Sequence, residues 1–121
     1  MPTIHSLLET ALYVKNPQVA AEFYRRVFGF ETLGESERLI ALDVAGRSVL
    51  LLFRSGAGDG PTHFAFAIEG AEVEAWEKKL SDDNVEIESR VDWPSGATSL
   101  YFRDTDGNLG ELITRGFWRN Y

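Results

Sequence analysis

TSLYFRDTDGNLGELIT, residues Thr98 to Thr114, reads as strand, tight turn, strand. Ser99 to Arg103 is short and aromatic, as a strand requires. Asp104-Thr105-Asp106-Gly107-Asn108 then gathers turn-forming residues, and Gly107 can take positive φ without a steric penalty. Leu109 to Thr114 returns as a second strand with a carboxylate, Glu111, in its middle. Side chains alternate faces along a strand, so Glu111 points away from the face of Leu112, into solvent or into a cavity. A lone Glu on an edge strand is ordinarily a solvated charge. What raises Glu111 above that default is the pattern upstream.

Thr62 to Ile68 (THFAFAI) is expected as a strand with His63, Ala65 and Ala67 on one face. Glu9 to Lys15 (ETALYVK) is another, with Glu9, Ala11 and Tyr13 together. Asn16-Pro17 supplies an N-cap and a first-turn proline. Val19, Ala20, Phe23, Tyr24, Val27 and Phe28 recur at helical spacing, and Gly29 closes a helix over 17–28. A second amphipathic helix spans Glu72 to Leu80, burying Val73, Trp76 and Leu80. Further strands are expected at Phe30–Leu33, Arg38–Val44, Ser48–Phe53 and Val85–Val91. SVLLLF, at Ser48 to Phe53, is apolar enough to be covered on both faces. SGAGDGP, Ser55 to Pro61, lacks the Gly-Lys-Ser/Thr ending of a phosphate loop and reads as a linker.

The order strand, helix, three strands therefore occurs twice. A shift of 54 residues carries Glu9 onto His63, Ala11 onto Ala65 and Val19 onto Val73. A shift of 60 carries Leu51 onto Glu111. The fold expected is α+β: two βαβββ modules, about 7–54 and 61–115, in one domain over 1–121. Their eight strands make one curved, cup-like sheet with both helices outside. Glu9, His63 and Glu111 then converge in the hollow, where neighbouring alanines leave room.

Composition sets the outer limits. A chain of 121 residues without cysteine has no disulfide framework and no thiolate metal site, which suits a cytoplasmic protein. A net charge of −7 argues against nucleic acid or an anionic membrane as partner. No apolar run approaches the ~20 residues of a membrane-spanning helix. MPTIHSLLET lacks the basic-then-apolar order of a secretory signal.

ETALYVKN (Glu9–Asn16), AAEFYRRVFGFE (Ala20–Glu31), HFAFAI (His63–Ile68) and SLYFRDTDGNLGELI (Ser99–Ile113) together resemble the vicinal oxygen chelate superfamily. That family groups glyoxalase I, fosfomycin-resistance thiol transferases, extradiol dioxygenases and bleomycin-resistance binding proteins. The resemblance implies a divalent metal, with ligands on the first, fifth and eighth strands: Glu9, His63 and Glu111. Glu9 departs from the usual His, and Leu51 stands where glyoxalase I has a fourth ligand. Ser99 and Tyr101 match hydroxyl positions that hold substrate in fosfomycin enzymes. With Tyr13 and Arg103 they form the expected substrate-binding set, and Glu111 and Tyr101 the expected catalytic pair. Tyr101 reads equally well as a packing aromatic. Two carboxylates and one imidazole suit Mn²⁺, Fe²⁺, Zn²⁺ or Mg²⁺. One His instead of two points to lyase, isomerase or transferase chemistry on a small molecule with adjacent oxygens rather than to a dioxygenase. Members are often homodimers.

Plainer readings stand beside these. His63 could be a hydrogen-bonded core histidine, Glu9 a partner of Arg38 or Arg54, and His5 a surface residue. Asp104 and Asp106 are expected to hold the turn by side-chain hydrogen bonds rather than bind Ca²⁺. The run Glu72, Glu74, Glu77, Lys78, Lys79 is a solvated helix face. Phe117, Trp118 and Tyr121 are expected to dock on something. Tyr13, Trp93, Tyr101 and Trp118 with the acidic balance also fit a metal-free protein that sequesters an aromatic or cationic compound.

Overall fold

The computed structural model describes residues 7–56 and 61–121. His5 and the centre of the glycine-rich linker, residues 57–60, lie outside them. The chain divides into two compact units, residues 1–60 and 61–121.

The first unit runs β1 (Glu9–Val14), α1 (Pro17–Phe28), β2 (Glu31–Glu35), β3 (Leu39–Val44) and β4 (Ser48–Arg54). Helix α1 begins where its sequence dictates. The Asn16 side chain accepts hydrogen bonds from the Gln18 and Val19 backbone N–H groups at 2.9 and 3.3 Å, and Pro17 occupies the first turn. Gly29 ends it with φ 73°, its N–H donating to the Arg25 carbonyl. The sheet order is β1-β4-β3-β2, with β1 and β4 parallel and the other pairs antiparallel. Leu12, Val14, Ile40, Leu42, Leu50 and Leu52 are buried on one face, beneath Ala20, Phe23, Tyr24 and Val27 of α1.

The second unit repeats the plan. It runs β5 (His63–Ala67), a single 3₁₀ turn (Gly70–Glu72), α2 (Val73–Asp82), β6 (Ser89–Asp92), β7 (Thr98–Arg103) and β8 (Leu109–Ile113), with sheet order β5-β8-β7-β6. The pairing registers match as closely as the order. Glu9 lies opposite Val49 in the first sheet, and His63 opposite Leu109 in the second. These are the two offsets, 54 and 60, by which the half-sequences superpose. The eight strands fall in two four-stranded mixed sheets, one to each of the βαβββ modules expected.

Local differences have local causes. β4 buries only Leu50 and Leu52 fully, because side chains alternate and Val49, Leu51 and Phe53 face the opposite, partly open side. Val19 is exposed, lying off the stripe that α1 turns inward, and Trp76 is only half-buried. β2 starts one residue late because Phe30 stacks on Tyr24 and Phe28 instead, with ring centroids at 6.3 and 5.7 Å. Residues 85–88 are not strand, and β6 begins at Ser89. Asn84 turns the chain with φ 59°, and Val85 donates back to the Leu80 carbonyl at 2.8 Å. Pairing resumes only at Glu88, whose N–H reaches the Tyr101 carbonyl at 2.7 Å.

Candidate functional site

The Asp-Gly turn that joins β7 to β8 is also what seats β5. Asp104 Oδ1 accepts from the backbone N–H groups of Asp106 and Asn108, both at 2.9 Å, and Oδ2 accepts from Asn108 Nδ2 at 2.9 Å. Gly107 supplies the positive φ, 82°. Asn108, fully buried, accepts from the Thr62 N–H at 2.8 Å, and Leu109 N–H donates to the Thr62 carbonyl at 2.9 Å. Asp104 therefore has the turn-holding role expected of it, and its turn fixes the register that brings His63 beside Leu109.

His63 Nδ1 lies 2.9 Å from the Leu109 carbonyl oxygen. A carbonyl only accepts, so Nδ1 carries a proton, and in the neutral ring Nε2 then keeps its lone pair. Nε2 faces Glu111 Oε1 at 3.3 Å. A neutral imidazole lone pair and a carboxylate oxygen repel at that range unless a cation, a proton or a metal ion, is shared between them. First-row divalent ions bind these donors at about 2.0–2.2 Å, so two donors at neighbouring positions on one ion stand roughly 2.8–3.6 Å apart. The pair thus fits a metal, and the Nδ1–H to carbonyl bond is the usual anchor of a ligating histidine. The side chain of Glu111 is 8% exposed and that of His63 50%, so the imidazole faces outward and the carboxylate lies beneath.

Glu111 is held from the other side as well. In register it sits between Ala65 of β5 and Tyr101 of β7. Its Oε2 accepts from the buried Ser99 hydroxyl at 2.6 Å, and Ser99 Oγ in turn accepts from Trp93 Nε1 at 2.9 Å. Tyr101 has its phenol pKa raised, first by burial, then by the Glu111 charge and a hydrogen bond to it, with Ser99 opposing. Its ring centroid lies 6.4 Å from that of His63. Arg103 shares the strand face of Ser99 and Tyr101 but is engaged with Glu88, at 2.8 and 3.2 Å, and with the Gly107 carbonyl at 3.1 Å.

The second unit therefore brings together His63, Glu111, Ser99 and Tyr101, and adds Trp93. Glu9 and Tyr13 belong to the first unit, both exposed on β1; Tyr13 packs on Phe53 at 6.1 Å between centroids. Arg54, one suggested partner for Glu9, turns instead to the carbonyls of Glu37 and Lys15, each at 3.2 Å. Leu51 holds the position equivalent to Glu111, opposite Ala41 where the second unit has Tyr101. Among the described residues no three His, Cys, Asp or Glu side chains gather into a metal-holding group. Sequence reasoning did not find Trp93 as part of this cluster. Its signal was weak: an aromatic in the loop of the β6–β7 hairpin, which is closed by Trp93 N–H to the Ala97 carbonyl at 2.8 Å.

The family model described as Glyoxalase/Bleomycin resistance protein/Dioxygenase superfamily matches residues 6–112. A metallothiol transferase FosB of Bacillus licheniformis is 33% identical over 109 residues, covering 84% of this chain and 70% of that protein. The crystal structure of a lactoylglutathione lyase from Agrobacterium tumefaciens superposes with TM-score 0.87 at 31% identity, covering 98% of this chain and 99% of that one. The fosfomycin resistance protein FosX of Listeria monocytogenes, 24% identical, shares the fold with TM-score 0.80 over 95% of this chain and 97% of its own.

Proposed function

Because the chain belongs to the glyoxalase/bleomycin resistance protein/dioxygenase superfamily, we propose that it is a metal-dependent enzyme of transferase or lyase type. Its substrate is a small molecule with two adjacent oxygens. The observation that carries this reading is the His63 Nε2 to Glu111 Oε1 approach of 3.3 Å, a spacing that suits two neighbouring donors on one divalent ion. The similarity to a metallothiol transferase and to a lactoylglutathione lyase supports the same class.

His63 and Glu111 are two of the proposed ligands and Glu9 the third, contributed by the same chain or by a second copy in a homodimer. Mn²⁺, Fe²⁺, Zn²⁺ or Mg²⁺ would supply Lewis-acid chemistry at the two substrate oxygens. The remaining work falls to the chain's own groups. Before metal binds, burial and the Glu111 carboxylate both favour the protonated phenol of Tyr101. It is therefore a donor that can hydrogen-bond a substrate oxygen on which negative charge builds. Ser99 has its proton committed to Glu111, so it orients that carboxylate before it touches any substrate. The exposed side of His63 with Ala65 and Ala67 leaves an open approach along β5. Tyr13 and Arg103 complete the proposed substrate contacts, Arg103 after parting from Glu88. The protein is proposed to act in the cytoplasm.

A panel of thiol-transfer and thioester-forming lyase reactions, run with added divalent metal and then with EDTA, tests the reading. Turnover that EDTA abolishes and metal restores is the expected result. Tight, EDTA-insensitive binding of an aromatic or cationic compound, with no turnover of any substrate, would instead favour a sequestering protein.

A further inference from the structure

Indole N–H is a donor with no accepting lone pair. That fact gives the chain Trp93–Ser99–Glu111 a direction. At 2.9 Å from Trp93 Nε1, the Ser99 oxygen must accept, and its single proton then goes to Glu111 Oε2, 2.6 Å away. Oε2 is thereby fixed as the acceptor of a buried hydroxyl, and the other oxygen, Oε1, is the one presented to His63. A carboxylate free to rotate would present either oxygen; this one cannot without breaking a charge-assisted hydrogen bond in a buried setting.

Trp93 is held in turn by the end of the chain. Phe117 packs on it with ring centroids 4.6 Å apart and planes at 56°. The segment carrying Phe117 closes on itself and is anchored through Tyr121. Gly116 N–H donates to the Tyr121 carbonyl at 3.0 Å, Tyr121 Oη reaches the Ile68 carbonyl at 3.4 Å, and the Arg115 guanidinium lies 4.4 Å over the Tyr121 ring. Ile68 directly follows β5, the strand that carries His63.

We propose that Trp93 is a positioning residue for the ligand Glu111, acting through the Ser99 hydroxyl and strapped in place by the C-terminal aromatic segment at Phe117. The proposal rests on Glu111 being a metal ligand. Partners of this kind in metal sites change affinity by about 10–100-fold when removed. Trp93 touches neither metal nor substrate in this account; it sets which carboxylate oxygen faces the ion.

Trp93→Phe removes the N–H while keeping an aromatic face for Phe117. Titration of Mn²⁺ into metal-free protein is expected to give a Kd about 10-fold weaker for Trp93→Phe, with Ser99→Ala similar. The double variant should be no worse than Ser99→Ala alone, because both break one chain. Thermal unfolding of Trp93→Phe reports whether folding is kept. Phe117→Ala should weaken binding by a smaller factor. Independently of metal, the three indole N–H resonances of the protein, from Trp76, Trp93 and Trp118, can be assigned by the one that Trp93→Phe removes. That resonance should move in Ser99→Ala and in Glu111→Gln. Unchanged Mn²⁺ affinity in Trp93→Phe, with binding lost in His63→Ala, would overturn the positioning role and leave the metal site standing. An indole resonance indifferent to Glu111→Gln would overturn the relay itself. Failure of the wild-type protein to bind any of Mn²⁺, Fe²⁺, Zn²⁺ and Mg²⁺, with the resonance still responding, would sink the metal reading and the role given to the relay with it.

Discussion

Gly110 shows how closely the candidate ligand is fitted to its neighbours. A Cβ built on Gly110 would stand 2.2 Å from Phe102 Cζ, and the Phe102 ring is fully buried against Phe64, 6.0 Å away edge to face. The ring has nowhere to retreat, so Gly110 is the residue that lets β8 pass beneath Phe102 and deliver Glu111 to the other face. Gly110→Ala is expected to destabilise by about 1–3 kcal/mol, as overpacking of a dense core does. Chemical denaturation measures it, and a neutral substitution would mean that Phe102 moves freely. Glycine next to a strand carboxylate was visible in the sequence. The ring above it was not, because alternation tells which face a side chain takes and not which neighbour covers it.

At the scale of elements, the helix that opens the first unit was the most legible. Asn16, Pro17 and Gly29 act locally, through their own dihedrals and hydrogen bonds, and α1 begins and ends where they stand. Asn16→Ala should cost about 1 kcal/mol, read from denaturant midpoints, since two backbone N–H groups lose their acceptor. An unchanged midpoint would show that water replaces the cap at no cost. β6 was less legible, because where a strand begins depends on its partner and on the exit from α2. The segment from residue 85 to Glu88 shows it, passing from the Leu80 carbonyl to the Tyr101 carbonyl before pairing begins. Glu88 is further pinned to Arg103, which holds its carboxyl pKa below the usual range, first by hydrogen bonding and then by charge. A lowered folded-state pKa means the native protein binds this proton more weakly than the unfolded chain. The contribution is therefore present at neutral pH and lost as pH falls through the lowered value. The stability difference between wild type and Glu88→Gln should shrink toward zero in acid, and a difference constant from pH 7 to pH 3 would contradict it.

For the whole molecule, the duplication was legible because it is written twice. The offsets of 54 and 60 residues that align Glu9 with His63 and Leu51 with Glu111 reappear as pairing registers in two sheets of the same order. The pairing of His63 with Glu111 followed from that symmetry and from the family resemblance. The relay from Trp93 did not, because a hydrogen bond across a hairpin leaves no periodicity to read. His63 and Glu111 are proposed to hold a divalent ion, with Glu9 as the third donor. Elemental analysis of protein purified without a histidine tag or chelator tests it most directly, alongside His63→Ala, Glu111→Gln and Glu9→Ala. Close to one divalent metal ion per chain is expected in the wild type, with near-complete loss on changing His63 or Glu111 and a marked reduction on changing Glu9. Full metal content in His63→Ala, or none in the wild-type protein after exposure to Mn²⁺, Fe²⁺, Zn²⁺ and Mg²⁺, would contradict it.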